Sequence, residues 1–202
     1  MWWWWWRFGS RLGGGVCEGG GPPPLPPFSA LCSSPPGAQS ISCIVRIGGA
    51  LLRGFVHSLL QQEGGLPRPV SPEELGGGEE GGPEEPPVSS LRVAALRVWH
   101  RLSQDPEMDS LVGVLAGRPP LPALAEVSEQ LFQDGINWGR VVVFFYFTYR
   151  VVLQALLGGR SLQAIMGWAV SFLQGRLSAW IRDQGGWGAF FSYSPPQPSR
   201  DP

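Results

Sequence analysis

Asp134-Gly135-Ile136-Asn137-Trp138-Gly139-Arg140 and Trp180-Ile181-Arg182-Asp183-Gln184-Gly185-Gly186-Trp187 bracket two long apolar stretches. Asn137 is a strong N-cap residue, whose side-chain oxygen can accept from one of the first backbone N–H groups of a helix. The stretch that follows, Trp138 to Leu157, is apolar on nearly all sides, and Val141 to Phe147 is unbroken. Such a helix is either a core element or a membrane span. At 1.5 Å per residue it measures roughly 31 Å, close to the ~30 Å hydrocarbon thickness of a bilayer. Arg150 and Gln154 interrupt it and favour a buried core helix in the resting state. Gly158-Gly159 stops the helix and Ser161 is placed to cap the next one, so the short connection forces an antiparallel hairpin. The second arm carries Leu162, Ile165, Met166, Val170, Phe172, Leu173, Leu177, Trp180 and Ile181. Gly185-Gly186 breaks the chain again, Trp187 to Tyr193 reads as a short final helix, and Ser194-Pro195-Pro196 ends order.

Upstream, Ile44, Ile47, Leu51, Leu52, Phe55 and Leu59 follow helical spacing within a helix over Ile41 to Leu60. Gly48, Gly49 and Gly54 each weaken that helix by roughly 1 kcal/mol relative to alanine, so tertiary packing must compensate. Residues 64–89 form an acidic Gly/Pro-rich linker. Its Gly76-Gly77-Gly78-Glu79-Glu80-Gly81 matches a dinucleotide-binding pattern in letters only, because no strand precedes it and its glutamates repel phosphate. Ser89 or Ser90 is placed to cap a second helix, with Leu91, Ala95, Val98 and Leu102 on one face. Pro106 and Pro119-Pro120 delimit a shorter helix holding Leu111, Val112, Val114 and Leu115, and Leu121 to Gln133 is a further amphipathic helix closed by Asp134-Gly135. No strand pattern competes. The expected fold is all-α: a helical bundle around a central hydrophobic hairpin, over residues 41–193, with a disordered Gly/Pro-rich extension at 1–40 and a disordered tail at 194–202. Within the extension, the Pro22–Pro27 run reads either as a polyproline ligand or as a solvated spacer.

Net charge is −1, which names no nucleic-acid partner, but the charges are unevenly placed. All 15 basic residues are arginine. From Gly135 to Arg182 there is no acid, only Arg140, Arg150, Arg160, Arg176 and Arg182, whereas Pro72 to Pro87 holds six glutamates and no base. Cys17, Cys32 and Cys43 offer neither a disulfide framework nor paired metal-ligand spacing, and reduced thiols are the simplest reading. Trp2 to Trp6 suit a membrane interface but are too few to span a bilayer. With His57 and His100 as the only histidines, no lysine and no clustered carboxylates, nothing resembles a nucleophile–base pair. Neither an enzyme nor a cofactor or metal site is expected.

Taken with the residues around them, the two opening strings resemble the first and second homology motifs of the Bcl-2 family of apoptosis regulators, in its pore-forming, Bax-like branch. Asn137-Trp138-Gly139-Arg140 resembles the first motif; Trp180 to Trp187, with Asp183, Gly185 and Gly186, resembles the second. Phe145-Tyr146-Phe147, Ile165-Met166-Gly167-Trp168 and Gly48 to Val56 are also similar to that branch. The resemblance implies a Bcl-2-like bundle with a groove that accepts an amphipathic partner helix. In the family the first-motif arginine, here Arg140, pairs with an acid on the incoming helix; from spacing alone Arg140 is a solvated arginine near a helix start. Trp138, Trp180 and Trp187 are assigned to packing the groove walls.

The third homology motif departs from the family pattern. Leu91, Ala95, Val98 and Leu102 fill its apolar positions, although Ala95 is small for a leucine position. The family's small residue followed by aspartate is replaced by Trp99 and His100. A mostly neutral histidine supplies no carboxylate, and a bulky Trp99 is expected to overpack by roughly 1–3 kcal/mol. The sequence after Tyr193 has no apolar tail anchor. The resemblance implies a pro-apoptotic effector that binds activator helices and permeabilises the mitochondrial outer membrane, promoting cytochrome c release. Its expected partners are Bcl-2 family proteins and their helices, copies of itself in homo- or hetero-oligomers, and mitochondrial lipid. It is expected in the cytoplasm at rest and at that membrane on activation. The alternative is a soluble helix-binding regulator or decoy without pore activity.

Overall fold

A computed structural model describes residues 39–64, 66–76, 86–104, 113, 115 and 117–194. They form six α-helices: α1 (Ile41–Gln62), α2 (Pro86–Leu102), α3 (Pro120–Phe132), α4 (Trp138–Leu157), α5 (Leu162–Phe172) and α6 (Ser178–Asp183). Helix α4 packs against α1, α2, α3 and α5 and is the centre of the bundle. Its window of highest hydropathy is 72% buried, so this span-length helix is a core element here. Asn137 caps it as the sequence demands: its Oδ1 accepts from the Arg140 N–H at 2.8 Å. At the other end Gly159 adopts φ +66°, and the Arg160 N–H returns to the Ala155 carbonyl at 2.8 Å. This glycine-terminated cap closes the helix and turns the chain back into α5.

Helix α1 lies along the hairpin. Ser40 caps it, accepting from the Cys43 N–H at 3.2 Å. The spacing-derived face is the buried one: Ile44, Ile47, Leu51, Leu52, Phe55 and Leu59 all face the core. Gly48 shows what compensates for a poor helix former. A Cβ there would sit 2.8 Å from Leu173 Cδ1 and 2.9 Å from Trp187 Cζ2. Gly48→Val should therefore lower unfolding free energy by about 1–3 kcal/mol through overpacking, read as a shifted denaturation midpoint. An unchanged midpoint would mean that α1 does not approach the hairpin this closely.

Several expectations are corrected. Helix α2 begins at Pro86, ahead of Ser89 and Ser90, because a proline at the first helical position has its φ preset and lacks an N–H to satisfy. The acidic linker is not wholly a linker. Val70 and Leu75 are buried, a 3₁₀ turn runs over Pro72–Leu75, and Arg68 Nη1 meets both Glu74 oxygens at 2.7 and 2.8 Å. His57 Nε2 lies 3.2 Å from the Val70 carbonyl, fastening this strap to α1. Val70 and Leu75, with Leu66 partly buried beside them, dock a segment whose composition reads as a linker. The second arm of the hairpin is not one α-helix but α5 and α6 joined by a π-helical turn, Leu173–Leu177. There Ser178 Oγ donates to the Gln174 carbonyl at 2.5 Å, an alternative to the regular ladder. The last turn, Trp187–Ser192, is 3₁₀. Ser161 occupies the N-cap position of α5 without a side-chain cap bond.

Cys43 is buried and disulfide-bonded, which corrects the reading of three reduced thiols; sulfur proximity is a tertiary property that spacing does not carry. Gln39 and Ser40, placed in the disordered extension by composition, are instead structured neighbours of α1. The rest of that extension, Leu111, Val112 and Val114 of the expected short helix, and the tail beyond Ser194 lie outside the described residues.

Candidate helix-binding site

The two glycine–tryptophan motifs meet. Trp138, the first residue of α4, points its ring at three aromatics of the C-terminal region. It lies 4.9 Å from Trp180 and 5.3 Å from Phe190, both edge-to-face, and 5.6 Å from Trp187. These spacings fall in the range where aromatic pairs gain beyond simple burial. The second motif terminates α6: Gly185 has φ +97° and the Gly186 N–H returns to the Ile181 carbonyl at 2.9 Å. Gly186 is required twice, by its φ of +86° and because a Cβ would lie 2.5 Å from Gln39 Oε1. That same oxygen accepts from the Trp187 N–H at 3.0 Å, and Trp187 Nε1 donates to the Ile44 carbonyl at 2.9 Å. Trp187 thus ties the second motif to α1, while Trp138 ties it to α4. Asp183 is exposed, with Arg182 Nη2 at 3.3 Å from its carboxylate.

Arg140 is neither solvated nor open to the surface. Only 3% of it is exposed, and its Nη1 donates to the Gly135 carbonyl at 2.7 Å. Burial pushes its pKa down from the ordinary arginine value, and the charge of Asp134 works in the opposite direction. A helix start is a poor place for a cation, because the unsatisfied N–H groups there carry partial positive charge. The carboxylate expected from the resemblance would be favoured beside both. Gly139, next to it, is covered by the C-terminal segment: a Cβ there would fall 2.5 Å from the Tyr193 hydroxyl. Sequence reasoning missed Tyr193 as a site residue, since an aromatic near a chain's end carries no periodic signal.

Burial pushes the Tyr193 phenol up from 10.0 to about 12, partly offset by the Gly139 N–H donating to its oxygen. Because the folded value lies above the unfolded one, the stabilisation is fully present below pH 10.0 and is lost as pH rises through about 12. Tyrosinate absorbance should therefore lose one late-titrating group in Tyr193→Phe, while Tyr149, also pushed up by burial, still titrates late. Identical titrations would place Tyr193 in solvent.

The third motif sits on α2, which packs on α4 and on the Trp187–Ser192 turn. Leu91, Ala95, Val98, Trp99 and Leu102 are buried on α2, and His100 is exposed. Trp99 is buried with the core and stacks on Tyr146 of α4, ring centroids 3.6 Å apart. A cavity of about 460 Å³ lies elsewhere, between the end of α1 and the strap, lined by His57, Leu60, Glu63, Leu66 and Val70 among others.

Residues 96–187, a span holding both glycine–tryptophan motifs, match the family profile described as apoptosis regulator proteins, Bcl-2 family. The chain is 34% identical to apoptosis regulator BAX of Bos taurus and 31% identical to that of Homo sapiens, each over 160 residues. Each match covers 78% of this chain and 80% of the relative. Apoptosis regulator R1 of Xenopus laevis is 40% identical over 107 residues, 52% of this chain and 46% of that protein. The crystal structure of chicken BOK superposes with a TM-score of 0.63, covering 76% of this chain and 98% of that one, at 18% identity that speaks for the fold alone. Likeness of this extent, with both motifs set at the ends of a central apolar hairpin, places the chain in the Bcl-2 family of apoptosis regulators, a family of regulators rather than enzymes.

Proposed function

We propose that the chain is a pro-apoptotic effector of the Bax type. It receives an activator helix beside Asn137, Trp138, Gly139 and Arg140, opens, and delivers the hairpin from Trp138 to Trp180 to the mitochondrial outer membrane, where copies or relatives assemble. The observation that carries this reading is the setting of Arg140. A cation is held nine-tenths buried at the start of the central helix, next to the aromatic cluster of the second motif. An incoming carboxylate would pair with it in low dielectric, where charge-assisted hydrogen bonds are strong. Since Arg140 is covered at rest, binding must draw on a minor open state, and the helix's preference for that state sets how far the population shifts. The exposed Arg160 and Arg176 of an acid-free hairpin favour anionic lipid, at about 1 kcal/mol per residue near the surface.

A second reading, a helix-capturing regulator without pore activity, draws on the third motif, where His100 stands in place of a carboxylate. Dye-loaded liposomes of mitochondrial lipid composition separate the two. Release that depends on an activator peptide is expected of an effector. Peptide binding without release at micromolar protein would leave the regulator reading standing and remove the effector one.

A further inference from the structure

Helix α2 is held in the bundle by an aromatic contact where the family pattern has a small residue and an acid. The Trp99 indole is 9% exposed, although its neighbours His100 and Arg101 are exposed. It lies nearly flat on the Tyr146 ring, planes 18° apart and centroids 3.6 Å apart. That is van der Waals contact across the faces. Electrostatics between two π faces opposes full overlap, so the gain comes from dispersion and from area removed from water. Tyr146 is itself a half-buried residue of the otherwise buried α4, edged by Tyr149 at 5.6 Å and Phe147 at 6.5 Å. The Tyr149 hydroxyl donates to the Glu63 carboxylate just past α1. Two turns earlier on α2, Arg92 Nη1 donates to Ser58 Oγ of α1 at 2.8 Å. An aromatic row therefore runs from α2 over α4 to the end of α1, and Trp99 is its terminal member.

We infer that the Trp99–Tyr146 stack is a retention clamp, and that the Tyr146 face is an aromatic-selective subsite. The stack, rather than a charge pair, determines whether α2 stays in its own bundle, and a helix that replaces α2 on α4 must bring a flat ring to Tyr146. The physical reason is shape. The Tyr146 ring is a planar apolar surface at the edge of the bundle, which a second plane covers completely and a branched aliphatic chain does not. This inference does not rest on the effector reading: α2 can be clamped in a pore former and in a decoy alike.

Amide hydrogen exchange over residues 86–104 of the full chain tests the clamp. Trp99→Ala and Tyr146→Ala should each accelerate exchange in α2 more than in α3 or α5. The double variant should fall short of the product of the single effects by a factor of about 2–12, the size of an aromatic pair coupling. Trp99→Phe should preserve most of the protection, and Trp99→Leu, similar in apolar character but without a plane, should not. Effects that multiply independently, exchange that rises equally in every helix, or equal protection by Phe and Leu would each overturn the clamp. Should Trp99→Ala fail to fold, the comparison of Phe with Leu decides alone. For the subsite, labelled peptides of residues 86–104, with Trp or Leu at position 99, are offered to the Trp99→Leu chain. Tighter binding of the Trp peptide, by several-fold, is expected; equal or absent binding of the two would overturn the ring requirement.

Discussion

Trp187→Ala should be among the most damaging single substitutions in the chain, lowering unfolding free energy by about 3–5 kcal/mol. The residue is 1% exposed, touches the space above Gly48, abuts Trp138 and donates to the Ile44 carbonyl. Its removal opens a cavity where α1, α4 and the second motif converge, and rigid backbone on several sides limits collapse. Set against a total stability of about 5–15 kcal/mol for an ordinary domain, that loss leaves a marginal fold. Trp187→Phe separates the contributions, since it keeps most of the ring and forfeits the indole hydrogen bond at about 1 kcal/mol. Denaturant melts followed by far-UV circular dichroism read both. If alanine costs under about 1 kcal/mol, less than an ordinary large-to-small core change, the junction is not the keystone described here.

Arg140→Ala is expected to abolish capture of an activator peptide. Truncating one partner of a buried charge pair costs about 3–5 kcal/mol, which corresponds to two to three and a half decades in Kd. The same substitution should leave the free chain folded, because the carbonyl that Arg140 Nη1 meets belongs to exposed Gly135, where water can replace the guanidinium. Lysine in its place should recover only part of the affinity, since its point charge lacks the planar fork that meets a carboxylate in two places. Calorimetric titration with wild-type peptide and with a peptide whose acid is replaced by alanine gives the decisive comparison. Loss on both sides that does not add identifies the pair. Full affinity in Arg140→Ala would remove Arg140 from the site.

How far the sequence was legible can be traced along individual helices. Trp138–Leu157 was readable to its ends, because an N-cap asparagine and a glycine pair are local signals and the helix between them is apolar apart from Arg140, Arg150 and Gln154. The buried face of α1 followed from helical spacing for the same reason. The π turn at Leu173–Leu177 was not readable, since the apolar positions Leu173 and Leu177 keep helical spacing while the Ser178 N–H donates to the Leu173 carbonyl and its Oγ to the Gln174 carbonyl. The strap from Leu66 to Leu75 reads by composition as an acidic linker, and composition averages away the few apolar residues that dock it.

At the site, the sequence by itself determined where the two motifs lie and that Gly185-Gly186 breaks the chain; the clash with Gln39 that also requires Gly186 is tertiary. Helix caps and turns depend on a few neighbouring residues, so their chemistry is written locally. Only the tertiary structure decided that Arg140 is covered, that Gln39 and Ile44 hold Trp187, and that Trp99 stacks on Tyr146. Each of these joins residues dozens of positions apart. Whether a charge is buried or a ring finds a facing ring depends on how helices come together in space, and no spacing along one chain segment contains that information.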